Sequence, residues 1–103
     1  MEKPMAIAIV TTDFPHGVGP GTYDSVHGEL DLSSEPATGL IFHWAGYVDG
    51  KWTITDVWAS REAYDRFHAE RLFPAMHKAF GIDPTTGPQP TITEHPVHDY
   101  VKA

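Results

Sequence analysis

The sequence predicts a single α+β domain with its elements in the order β-α-β-β-α-β, and three observations carry that prediction. Two β-rich runs meet at Asp49-Gly50, a pair that favours the φ > 0 geometry of a two-residue hairpin loop. Short apolar runs at 5–12 and 91–101 read as further strands near the two ends of the chain. Two segments, 22–30 and 61–80, instead place apolar side chains at helical spacing. A chain of 103 residues has room for one modest core, so one domain over 1–103 is expected.

The elements follow in order. MAIAIVTT, 5–12, is short, apolar and bounded by Pro4 and by Asp13-Phe14-Pro15, which is a strand signature. DFPHGVGPG, 13–21, is a loop by its Pro and Gly content. Thr22 is placed as the N-cap of a first helix, in which Tyr23, Val26, His27 and Leu30 fall at i, i+3, i+4 and i+7. After a polar connection comes the hairpin, within GLIFHWAGYVDGKWTITDVWAS, 39–60. With Asp49 and Gly50 in the loop, Val48 opposes Lys51, Tyr47 opposes Trp52, Ala45 opposes Ile54, His43 opposes Asp56 and Ile41 opposes Trp58. Alternation then assigns Ile41, His43, Ala45, Tyr47, Trp52, Ile54, Asp56 and Trp58 to one face, and Leu40, Phe42, Trp44, Val48 and Val57 to the other.

Ser60 is the expected N-cap of the second helix, which Gly81 ends. Ala63, Tyr64 and Phe67 form its inward face, and His68 lies toward its flank. Pro74 has no amide proton and its ring clashes with the carbonyl of Glu70, so a kink or break is expected near 70–74. Beyond it Phe73, Met76, His77 and Phe80 restart the stripe at i, i+3, i+4 and i+7.

This order is the ferredoxin-like split βαβ plan, a four-stranded antiparallel sheet with both helices on one face. Both faces of the hairpin are apolar, yet the helices cover only one. The natural second cover is the sheet of another copy, so a homodimer is expected. Composition excludes several functions. There is no cysteine, which removes disulfides, thiolate zinc sites and thiol nucleophiles. No apolar run approaches membrane-spanning length, and a cytoplasmic protein without a membrane partner is expected. A formal charge of −7, with seven Lys plus Arg, argues against nucleic acid. Seven histidines suggest a metal, but none stands in an H-E-x-x-H or similar spacing, so no metal site is expected.

The run ITDVWASREAYDRFHAERLFPAMHKAF, 54–80, taken with the β-α-β-β-α-β order, resembles the dimeric α+β barrel superfamily. That group includes antibiotic-biosynthesis monooxygenases and heme-degrading monooxygenases. The resemblance implies a pocket between sheet and helices, lined by a tryptophan at the end of the third strand, here Trp58. In the heme-degrading members a histidine late in the second helix ligates iron, and the resemblance places that role on His77. Those members also use an asparagine on the first strand, and MAIAIVTT contains none.

If Trp58 lines the pocket, His43 and Asp56 share its face and look into it as well. The Asp56 carboxylate can accept from one ring nitrogen of His43, fixing the tautomer and leaving the other nitrogen for a ligand, as a general base requires; the same pair equally suits a buried polar contact that satisfies itself and specifies strand register. Trp58, Tyr47, Trp52, His27 and Phe67 are the expected ligand-binding side chains, suited to a small, flat, hydrophobic or aromatic compound. The leading expectation is an enzyme of the cofactor-independent monooxygenase type, acting on an aromatic or polyketide-like compound with His43 as base and Asp56 as its orienting partner. The alternatives are a heme-binding protein or heme monooxygenase with His77 as axial ligand, and a noncatalytic small-molecule-binding dimer.

Overall fold

The structure, a computed structural model, describes residues 6–15, 17–81, 83–99 and 101. Its elements are β1 (Ala6–Thr12), α1 (Pro20–Leu30), β2 (Leu40–Val48), β3 (Lys51–Trp58), α2 (Arg61–Phe67), a π-turn (His68–Leu72), α3 (Phe73–Phe80) and β4 (Thr91–Val97). The strands form one antiparallel sheet in the order β2-β3-β1-β4, the ferredoxin-like arrangement. Met5 and Tyr100, expected in the first and last strands, lie outside the described residues. β4 ends at Val97, four residues before the expected limit of 101. Among the described residues no helix is long and apolar enough to cross a membrane.

The hairpin turns where its sequence requires. Asp49 and Gly50 both adopt positive φ, 50° and 79°, and the expected pairs from Val48–Lys51 to His43–Asp56 stand in register. The register then shifts between Leu40 and Phe42, so that Leu40, not Ile41, opposes Trp58. Gly39 accounts for the irregularity. It sits at φ +88°, accepts a hydrogen bond from the Ala59 amide at 2.8 Å, and lies so close to α2 that an added Cβ would stand 2.5 Å from the Ala63 Cβ. Leu40 is thereby carried to the helix side, where it packs against Trp58, whereas simple alternation had assigned it to the open face.

The core has two parts. Ile9, Trp58 and Tyr64 form one between the sheet and α2, with Ile9 and Trp58 each 1% exposed. Val26, Leu30 and Ala75 form the other, where α1 meets α3. α1 begins three residues earlier than expected: Gly19, not Thr22, is the N-cap, Pro20 takes the first helical position, and the Thr22 hydroxyl reaches back from the third to accept the Gly19 amide at 2.7 Å. Ser60 caps α2 as expected, its hydroxyl accepting the Ala63 amide at 3.1 Å.

The second helix does not break at Pro74. It widens by one residue into the π-turn, in which the Phe73 amide reaches back to the His68 carbonyl. Pro74 falls in the first turn of α3, where its missing amide proton costs little. Met76 and Phe80 pack inward on α3 as expected, and with the extra residue Leu72, Ala75 and Ala79 complete the buried stripe. His77 stands about 140° round the helix from the centre of that stripe at 100° per residue, and it is exposed. Its expected place in the apolar stripe is therefore corrected.

Opposite the helices the sheet exposes large apolar side chains. Phe42 is 58% exposed, Trp44 38% and Val48 43%.

Candidate functional site

Between the sheet and the helices lies a cavity of about 470 Å³, within the usual range for a small-molecule site. Its floor is the helix-facing row of the sheet, where Thr11, His43, Ile54, Asp56 and Trp58 stand, and α1 and the composite second helix form its walls. Phe14, Pro15 and Val18 from the loop after β1, and Pro84, Pro88 and Pro90 from the segment before β4, close the rim. The lining is predominantly apolar and aromatic, so any polar group in it acts in a medium of reduced dielectric.

Three polar side chains in this cavity form one hydrogen-bonded run. His43 on β2 and Asp56 on β3 face each other across the ladder, and His43 Nδ1–H donates to Asp56 Oδ1. An ionised carboxylate only accepts, which places the proton on Nδ1 and leaves Nε2 as an acceptor. The Tyr23 hydroxyl, from the first turns of α1, donates to that Nε2 at 2.5 Å. The ring nitrogen expected to meet a ligand is thus occupied by Tyr23, and the group presented to the cavity is the tyrosine hydroxyl. Burial, with the charges of Asp56 and Asp24 adding to it, pushes the Tyr23 hydroxyl above its usual range, so it remains protonated at rest. His27 stacks on the Tyr23 ring at 4.0 Å and on His43 at 5.4 Å; burial, then the neighbouring His43, holds it below its ordinary value and therefore neutral.

Of the other side chains expected here, Trp58, His27 and Phe67 line the cavity, with the Trp58 and Phe67 rings 5.3 Å apart. Tyr47 and Trp52 do not. They pair edge to face at 5.3 Å; Trp52 also meets the Tyr23 ring of α1 edge to face at 5.7 Å, so it packs behind that tyrosine, whereas Tyr47 is 64% exposed. His77 lies outside the cavity, on the exposed side of α3. The indole N–H groups of Trp52 and Trp58 are buried without a hydrogen-bond acceptor among the described residues.

Tyr23 and His68 are polar cavity residues to which the sequence alone assigns no role in the site. Tyr23 was visible as the first member of the α1 stripe, one helical turn before His27, but its reach to His43 depends on how α1 crosses β2. His68 was placed on the flank of its helix, which is where it stands; what was missing is that the cavity runs along this flank. Arg61, Asp65, His68 and Leu72, at i, i+4, i+7 and i+11, all line it. Such a mostly polar row reads in sequence as a solvated face. His68 Nδ1 lies 2.9 Å from the Tyr64 carbonyl, which only accepts, so Nδ1 carries the proton and Nε2 is a lone pair. Burial holds this imidazole below its ordinary value in spite of that hydrogen bond, hence neutral.

No protein-family model and no curated protein matches the sequence. Solved structures do. One is a protein from Caulobacter crescentus classed with the antibiotic-biosynthesis monooxygenases, at 20% identity and TM-score 0.60 over 94% of this chain and 93% of that one. The heme degrader MhuD from Mycobacterium tuberculosis, solved with two hemes in its active site, matches at 20% identity and TM-score 0.52 over 94% of this chain and 99% of its own. SnoaB, a cofactor-independent oxygenase from Streptomyces nogalater, matches at 14% identity and TM-score 0.51 over 96% of each chain. At these identities the likeness concerns architecture, and this chain has the ferredoxin-like α+β fold on which those proteins are built.

Proposed function

We propose that this chain is a small-molecule enzyme of the cofactor-independent monooxygenase type, acting on a flat aromatic or polyketide-like compound in the cavity between sheet and helices. The observation that carries the reading is the run Tyr23–His43–Asp56, whose proton directions all point the same way. A substrate with an acidic C–H or phenol set against the Tyr23 oxygen passes its proton to that oxygen as the tyrosine proton moves to His43 Nε2. Asp56 then stabilises the imidazolium and keeps the ring oriented. Tyr23 is the group that touches substrate, His43 the base behind it and Asp56 the positioning residue. Trp58, Phe67 and Phe73 offer aromatic walls for the resulting anion and limit water.

With a reactive CH2 the balance is closed by dioxygen alone. The carbanion transfers its electrons to O2 and forms a C–O bond; the relay returns its proton to give a hydroperoxide; loss of water leaves a carbonyl, so that CH2 plus O2 gives C=O plus H2O. The description of SnoaB as a cofactor-independent oxygenase supports this reading. The test is oxygen uptake with anthrone, a flat tricycle with an acidic CH2. Purified protein should convert it to anthraquinone one-for-one with oxygen and without added cofactor, and Tyr23→Phe should remove the enzymatic rate. A rate no faster than buffer in the wild-type protein would overturn the reading.

A second reading is favoured by a different observation, the fixed tautomer of His68. If heme is bound, His68 rather than His77 supplies the axial nitrogen, because its Nε2 is an unprotonated donor in an aromatic cavity while His77 faces solvent. The iron would then supply oxygen binding. A hemin titration decides: a Soret shift that is lost in His68→Ala and kept in His77→Ala supports this reading, and no shift removes it.

We also infer that the chain works as a homodimer through the open sheet face. Phe42, Trp44 and Val48 form a contiguous apolar surface on a molecule of this size, of the kind that marks an interaction site.

A further inference from the structure

The anchoring of His68 has a consequence for substrate choice. The imidazole is held by its neighbours everywhere but at its outer edge. Nδ1–H is committed to the Tyr64 carbonyl at 2.9 Å, the Tyr64 ring lies against it at 4.0 Å with the planes tilted by 41°, and Phe67 and Phe73 meet it edge to face at 6.0 and 5.6 Å. The ring can neither flip nor turn without losing that packing and that hydrogen bond. Its outer edge, Nε2, has no hydrogen-bond partner among the described residues, although the residue lines the cavity. Nε2 is open to the cavity, where water can satisfy it, so a ligand atom that displaces that water leaves the acceptor unpaired unless it is itself a donor.

Neighbouring groups do not compete for this role. The Asp65 carboxylate on the same row accepts from Arg61 Nε at 3.0 Å, and Arg61 also reaches Glu94 at 2.7 Å, so that cluster satisfies itself. The Tyr64 hydroxyl has no hydrogen-bond partner among the described residues, and burial keeps it protonated, so this wall also holds a donor. An acceptor and a donor on one wall suit a hydroxyl, which both gives and receives.

Building on the relay reading above, we propose that His68 is a second anchor in the cavity, a fixed hydrogen-bond acceptor that selects aromatic substrates carrying a second hydroxyl, distinct from the position that loses its proton to Tyr23. The substrate class is then a flat dihydroxylated aromatic, with one acidic site met by α1 and β2 and the other hydroxyl met by the second helix. An O-methyl ether at that second position keeps the shape and loses the donor. Discrimination against it follows from the same rule by which a polar site rejects an analogue that leaves its buried groups unpaired.

The test is calorimetric binding near neutral pH of three probes: 1-naphthol, 1,5-dihydroxynaphthalene and 5-methoxy-1-naphthol. The wild-type protein should bind the dihydroxy compound about 5–10-fold more tightly than the methyl ether, the size of one hydrogen bond. His68→Phe, which keeps an aromatic ring in the box, should bring the two within about twofold of each other. His68→Gln, which retains an acceptor, should restore part of the preference and covers the case in which the phenylalanine variant folds poorly. Equal binding of dihydroxy compound and ether by the wild type, or an undiminished preference in His68→Phe, would overturn the role of His68 while leaving the Tyr23 relay intact. A preference that persists in Tyr23→Phe, whose turnover is lost, is the expected sign that the two functions are separate. Failure of all three probes to bind at millimolar concentration would overturn both this proposal and the aromatic-substrate reading on which it rests.

Discussion

Replacing Asp56 with asparagine separates a positioning carboxylate from a structural one. The side chains of His43 and Asp56 are 22% and 16% exposed, so their bond is shielded but not fully desolvated. Asparagine is isosteric and keeps a neutral hydrogen bond to the imidazole, and the expected loss of stability is about 1 kcal/mol. For a domain of this size that is a fall in melting temperature on the order of 5 °C. The effect on proton transfer is larger. An asparagine NH2 donates to Nδ1, the ring proton moves to Nε2, and Tyr23 no longer has a lone pair at 2.5 Å to receive its proton. Loss of a positioned base costs about 10²–10⁴ in rate, which is about 2.7–5.4 kcal/mol at 1.36 kcal/mol per decade and well above the stability term. The assay is anthrone-dependent oxygen uptake beside a thermal melt of the same preparation. Tyr23→Phe serves as the comparison, because it removes the hydroxyl and keeps the ring that stacks on His27. A melting temperature lowered by far more than this in Asp56→Asn, with residual rate tracking the folded fraction, would refute the catalytic argument and leave His43–Asp56 as a pair that fixes strand register.

Three further outcomes follow from the fold. Gly39→Ala combines a positive φ with a Cβ 2.5 Å from that of Ala63, and should cost more than about 1 kcal/mol in urea denaturation, with partial recovery in Gly39→Ala/Ala63→Gly; an unchanged midpoint would show that β2 and α2 do not approach so closely. Trp44→Glu places a charge in the exposed apolar sheet face and should yield a monomer by sedimentation at micromolar concentration if that face is the dimer interface, whereas a dimer that persists moves the interface elsewhere. Burial holds His27 and His68 below the usual histidine value of about 6.5, so the unfolded chain binds more protons than the folded one as pH falls past that value. Their contribution to stability is therefore fully present above about pH 6.5 and lost on acidification toward the depressed folded values. The melting temperature should drop between pH 7 and pH 5, and His68→Phe should flatten that slope; an identical slope in the variant would remove His68 as its source.

What the sequence determined by itself rests on local and periodic rules. Asp49-Gly50 set the hairpin loop through its φ preferences, and with it the register that opposes His43 and Asp56. Period-2 alternation put both on the Trp58 face, and the Ser60 cap and Gly81 stop bounded the second helix. These signals act over a few residues, so the chain states them in full. What only the tertiary structure decided depends on how far one element stands from another. The bulge that turns Leu40 inward arises because Gly39 lets β2 press against α2, a contact between segments more than 20 residues apart. The one-residue π-turn rotates α3 so that Ala75 and Met76, and not His77, face inward, and no periodicity computed at 3.6 residues per turn anticipates such an insertion. Tyr23 joins His43, and the polar row through His68 lines a cavity, because helices that pack over a sheet leave space along their flanks. A flank written in polar residues reads the same whether it meets solvent or a ligand, and only the position of the neighbouring helix distinguishes the two.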